Sequence, residues 1–190
     1  MNRKFFLVIL IGIAVGMQGS FAQETFTWQL ALIKNEQGLP FDNTVAMRDG
    51  ETFYINIFSE RDCYAYVVAE TSSGAMHIFA SRQVRAGVPV RYGGFTLNAP
   101  AGQETFYVVT SLSEQSRLQT AIDNYNRNIT ASTTRVLTAR LFEIRDPNLD
   151  DHGSPVDFAG SARSATGLPQ VRGTEYSGAA AYIKVITISH

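Results

Sequence analysis

RDCYAYVVAETSSGAMHIF, residues 61–79, compresses a hydrophobic strand, a turn and a second strand into one short stretch. Cys63, Ala65, Val67 and Ala69 share one face of the first strand, and Tyr64, Tyr66 and Val68 share the other. Neither face is polar, as expected of a central strand covered on both sides. Ser72-Ser73-Gly74 supplies turn chemistry, because glycine takes the positive φ that tight hairpins require. In the returning strand Met76, Ile78 and Ala80 alternate with Ala75, His77 and Phe79. Pairing symmetric about residue 73 sets 63 opposite 83 and 69 opposite 77, so the lone cysteine and the first histidine are not expected to meet.

The same period-two pattern extends outward from this hairpin. TFTWQLALI, residues 25–33, puts Phe26, Trp28, Leu30 and Leu32 on one side and Thr25, Thr27 and Gln29 on the other, the mark of a half-buried strand. EQGLPFDNT reads as a connection, and MRDGETFYINIF as a turn into a strand with Phe53, Ile55 and Ile57 on one face. GGFTLNAPAG and QETFYVVTSL give further strands, and AAYIKVITIS closes the chain with another. At Ser113 the period changes: Leu118, Ala121, Ile122 and Tyr125 form a helical stripe, with Ser113 as the expected N-cap. Residues 131–145 predict a second helix with Leu137, Leu141 and Ile144 on one side. Residues 146–173, rich in Asp, Gly, Ser and Pro, read as a long loop, either functional or mobile. Short turns between successive strands favour antiparallel pairing. The expected fold is therefore mainly β, an antiparallel β-sandwich, with a helical insertion at about 113–145 and the loop at about 146–173.

The chain begins with Arg3 and Lys4, an apolar run from Phe5 to Val15, and small residues at Ser20 and Ala22. This pattern predicts a signal peptide over residues 1–22, with the apolar run too short to span a bilayer. Residues 23–190 are then read as a single domain, periplasmic or secreted, with no membrane span after cleavage. Losing Arg3 and Lys4 takes two from 16 basic residues and none from 17 acidic ones, leaving a mildly acidic chain. Without a basic stripe, nucleic acid is not an expected partner. A domain of this size buries about 70% of its unfolded surface and needs no disulfide, and the single cysteine, Cys63, cannot close an intrachain bridge.

Several stretches together resemble a bacterial family known as domain of unknown function 4384. They are Arg48-Asp49-Gly50-Glu51 before a strand, Asp62-Cys63-Tyr64-Ala65-Tyr66-Val67, the Gly74 turn, Ile78-Phe79, and Ala86-Gly87. Phe95-Thr96-Leu97, Ala99-Pro100-Ala101-Gly102 before Glu104, and Val108-Val109 continue the series. The resemblance covers about residues 25–112, and more loosely Lys184 to Ile188. It implies an extracytoplasmic β domain, brings no catalytic residues, and makes the Asp-Cys-Tyr strand a core strand in which the thiol packs among apolar neighbours.

A cysteine nucleophile needs a base within hydrogen-bond reach, and His77, His152 and His190 are not placed to supply one to Cys63. Asp146, Asn148, Asp150 and Asp157 offer spaced oxygens resembling a calcium loop, but Asp151 stands where such a loop has glycine, and Asp157 where it has a bidentate glutamate. Asp42, Glu51, Glu70 and Glu104 are carboxylates from which a hydrolase pair could be drawn. Tyr54, Tyr64, Tyr66, Tyr92 and Tyr107 could grip a sugar or peptide if they shared an open sheet face. The expectation is an exported, non-catalytic interaction domain of the cell envelope that needs no cofactor and binds a protein or another envelope component through a sheet face or the 146–173 loop. The alternatives are a hydrolase acting on an envelope polymer and a calcium-stabilised adhesion module.

Overall fold

A computed structural model of the chain describes residues 26–145, 153–159, 171–178 and 180–190. The predicted signal peptide, residues 1–22, lies outside them, as do Asp146, Asn148, Asp150 and His152. No helix among the described residues is long and apolar enough to cross a membrane.

The protein is mainly β, with two sheets packed face to face and two helices late in the chain. In chain order the elements are β1 (Thr27–Lys34), β2 (Gln37–Leu39), β3 (Val45–Ala46), β4 (Thr52–Ser59), β5 (Cys63–Glu70), β6 (Met76–Val84), β7 (Val90–Thr96), β8 (Gln103–Ser111), α1 (Ser116–Arg127), α2 (Ala131–Glu143), β9 (Ser154–Asp157), β10 (Arg172–Ser177) and β11 (Ala181–Ser189). The first sheet runs β7-β4-β1-β10-β9, with β2 also paired to β1, and the second runs β3-β11-β8-β5-β6. All pairings are antiparallel except the two-residue β3, which lies parallel to β11.

The alternation in β5 works as its sequence requires. Cys63, Ala65, Val67 and Ala69 enter the core between the sheets with Trp28, Leu30, Leu32, Phe53, Ile55, Phe106 and Val108. Tyr66 and Val68 face the other way, into a second core with Leu118, Ile122, Tyr125, Leu137 and Leu141 of the helices. Helices laid across the outer face of the second sheet thus turn a strand that would be half wet into a fully buried one.

The hairpin register departs from symmetry at one point. Ala69 pairs with His77 as expected, but Cys63 pairs with Val84 rather than with residue 83. Val67 faces Ala80 while Val68 faces Ile78, which leaves Phe79 as an extra, unopposed residue. A bulge of this kind reverses side-chain alternation beyond it. Met76 and Ile78 consequently lie with the helices, whereas Ala80 joins the core between the sheets.

Three further expectations are corrected. First, β1 is buried on both faces rather than one, because Phe158 and Val171 cover Ala31 and Ile33 on its outer side. Gln29 is satisfied there, donating to Glu175 at 3.0 Å and accepting from the Ala159 N–H at 2.8 Å. Second, residues 146–173 are not one loop: β9 pairs with β10, which begins at Arg172, and extends the first sheet. Little apolar periodicity marks β9 because it is a mostly exposed edge strand. Third, α1 begins at Ser116 with no side-chain cap, so Ser113 is not its N-cap. The Gln115 N–H donates instead to the Tyr66 hydroxyl at 3.0 Å, and its side chain to Ser111 Oγ at 2.7 Å. The sheet beneath the helix supplies an acceptor that a local cap would otherwise provide. α2 does carry a local cap: Thr130 and Thr133 close a reciprocal capping box.

Candidate functional site

β6 and β7 are consecutive strands at the edges of different sheets, so no backbone pairing closes the corner between them. At one end side chains close it, with the Arg82 guanidinium 4.9 Å above the Tyr92 ring and its Nε donating to the Tyr92 hydroxyl at 3.4 Å. At the other end the corner opens into a cleft of about 620 Å³. Its walls come from the 71–75 turn, His77 and Phe79 of β6, Gly93 to Leu97 of β7 and its continuation, the Asn98-Ala99-Pro100 turn, and Glu104 and Phe106 of β8.

Both edge strands bulge here. Phe79 is the extra residue in β6, and in β7 the register moves from Phe53↔Phe95 to Tyr54↔Gly93, leaving Gly94 unopposed. Glycine is required beside that bulge: Gly93 has φ 125°, and a Cβ there would stand 2.8 Å from the Phe95 ring and 3.0 Å from the Phe53 carbonyl oxygen. The bulges aim aromatic rings into the opening. Phe79 meets Phe95 edge to face at 4.6 Å and lies parallel to Phe106 at 6.3 Å, while Phe95 and Phe106 are 5.3 Å apart. Phe106 is 2% exposed, Phe95 8% and Phe79 46%, so the trio grades from core to solvent.

Glu104 gives the cleft its charge. His190 lies behind it, its side chain 1% exposed, with Nδ1 2.6 Å from Asp49 Oδ1 and Nε2 3.9 Å from Glu104 Oε1. The second distance is beyond hydrogen-bond length, and Nε2 is buried without a partner. Backbone pairing fixes the imidazole, with His190 and Gly102 exchanging N–H···O bonds of 3.0 and 2.9 Å.

Of the sequence-derived candidates, Glu104 and His77 line the cleft and the others lie elsewhere. Cys63 is fully buried and unbridged. Burial pushes its thiol above the ordinary range, against an opposing hydrogen bond with Ser59. His77 is exposed and pairs with Ala69, six residues along the strand from Cys63, or about 20 Å. Tyr64, Tyr66 and Tyr107 lie under the helix pair. Tyr107 donates to Glu70 at 2.8 Å, and burial together with that carboxylate raises its hydroxyl well above the usual phenol range. Tyr54 is on the outer face of the other sheet, beneath the Arg91 guanidinium at 4.9 Å, and Tyr92 is in the core between the sheets. The tyrosines therefore share no open face. Of the carboxylates, Glu51 is bound by Lys34 at 2.8 Å, Glu70 by Tyr107, Asp42 is exposed, and only Glu104 enters the cleft. Asp157 is an exposed residue of β9 opposite Arg172. Among the described residues no three His, Cys, Asp or Glu side chains are grouped to hold a metal ion.

The sequence reading names Glu104 only as one of four carboxylates, and misses Phe79, Phe95 and Phe106 and the approach of Asp49 and His190 to Glu104. One signal was readable: Gly93-Gly94 inside an alternating strand marks a bulge or a close approach. No family model matches the chain, and no curated protein matches it.

Proposed function

We propose that the protein is an exported, non-catalytic interaction domain of the cell envelope, and that the β6/β7 cleft is its binding surface. The observation that carries this reading is Phe79, a large aromatic side chain placed by a bulge at the mouth of a lined cleft and left 46% exposed. Both outer sheet faces carry cover of their own, the helices on one and Phe158 with Val171 on the other. Apolar clefts with a few placed polar groups are the usual form of a binding site.

A photo-crosslinking side chain at position 77, in the protein expressed in its own source cell, tests this. The expected result is a discrete adduct that disappears when Phe79→Asp is added and does not form from a probe at exposed Val136 on α2. Equal labelling from positions 77 and 136 would reject the cleft as the binding surface.

A further inference from the structure

We infer that the cleft selects a primary ammonium on an apolar stem, the lysine side chain of a partner polypeptide. This rests on the interaction reading above and adds the chemistry of the bound group. Three observations converge on it. The cleft's aromatic wall ends in Phe79, 46% exposed, whose ring is open to a cation, with the buried Phe95 and Phe106 packed behind it. Among the described residues its only acidic lining residue is Glu104, side chain 20% exposed, and besides the exposed His77 no basic side chain lines it. Behind Glu104, a 1% exposed imidazole leaves Nε2 without a partner.

The charge balance favours a cation. Asp49 and Glu104 contribute two carboxylates against the one imidazole of His190, so the group never becomes positive while both carboxylates are ionised. His190 Nδ1 lies 2.6 Å from Asp49 Oδ1, and Nε2, 3.9 Å from Glu104 Oε1, makes no hydrogen bond to it, so the Glu104 carboxylate keeps its acceptor capacity for a ligand. An ammonium brings three donors. It reaches the Glu104 carboxylate from the solvent side, while its methylenes lie against the phenyl rings. A carboxylate ligand would meet like charge, and a neutral alkyl stem would leave the Glu104 carboxylate unmatched. The volume of about 620 Å³ exceeds what one side chain fills, leaving room for the flanking residues of a polypeptide.

Titration of the folded, isotope-labelled protein with acetyl-Val-Lys-Val-amide, its norleucine analogue and its glutamate analogue, read at the Gly93 and Gly94 amides, tests the inference. The lysine peptide should bind about tenfold more tightly than the norleucine peptide, an advantage within the range of a partly desolvated cation on aromatic rings and a carboxylate. Glu104→Gln should bring the two within about twofold, and Phe79→Ala should weaken both. An unchanged spectrum outside the cleft establishes that each variant is folded. Equal affinities for lysine and norleucine peptides, or a lysine preference that survives Glu104→Gln, would overturn the ammonium assignment while leaving the interaction reading in place. n-Butylamine binding as tightly as the lysine peptide would overturn the polypeptide source. If none of the three peptides moves the cleft amides, the lysine assignment falls, and the interaction reading stands or falls by the cross-linking result.

Discussion

Phe79 and Phe95 meet edge to face across the open corner of the sandwich, their centroids 4.6 Å apart, although their strands belong to different sheets. The contact continues inward to Phe106 and Phe53, so the cleft wall is the outer end of the core itself.

That gradient predicts a gradient of cost. Phe106→Ala removes a 2% exposed ring and should destabilise the protein by about 3–5 kcal/mol. Phe79→Ala, half exposed, should cost only about 1 kcal/mol through its lost aromatic contacts. Urea denaturation of the two variants measures both, and equal losses would contradict the placement of Phe79 at the rim.

Cys63 should behave as interior packing. In the native protein at pH 8 an aromatic disulfide reagent should leave it untouched, and reaction should follow the unfolding curve as urea is added. Cys63→Ser, which puts a hydroxyl in that site, should cost about 1–3 kcal/mol, and Cys63→Ala less. Rapid labelling without denaturant would contradict the burial.

Lys34 and Glu51 should give acid stability a specific dependence. The Lys34 ammonium, and after it the Arg48 backbone N–H, hold the Glu51 carboxyl below its ordinary value of 4.5. Its folded pKa therefore lies under the unfolded one, so the stabilisation is complete above about pH 4.5 and is lost as pH falls through the lower folded value. The difference in melting temperature between the wild type and Lys34→Met should narrow over that range. A difference that stays constant down to pH 2 would show that the charge pair is not its source.

The capping box of α2 provides an independent measure of the helical layer. Thr130→Ala removes the acceptor for the Thr133 N–H and should cost about 1 kcal/mol. Because Leu137 and Leu141 bind α2 into the core beneath it, that loss should appear in the global unfolding transition. Fraying seen only by local hydrogen exchange at α2 would mean that the layer unfolds separately.

Much of the architecture was legible because alternation and burial agree. The two faces of β5, the apolar face of β1 and the stripe Leu118, Ala121, Ile122 and Tyr125 each went where their periods placed them. What was not legible came from long-range partners. Gln29 and Ile33 are covered by residues more than a hundred positions away, and the α1 start is satisfied by Tyr66 from a sheet strand. The candidate site was hidden for the same reason. One inserted residue at Phe79 and one at Gly94 re-aim their surroundings without disturbing composition, and His190 reaches Asp49 only once β11 lies between β3 and β8.

The paired kinks at Phe79 and Gly94 also bear on how molecules of this protein meet one another. A long, straight outer strand would be a template onto which an identical molecule could zip, and another onto that, without limit. Here two of the borders, β6 and β7, are each interrupted near the middle, so register along them is lost after a few residues and stacking there is cut short. The geometry that opens the corner is therefore also a guard against fibre growth along these two strands.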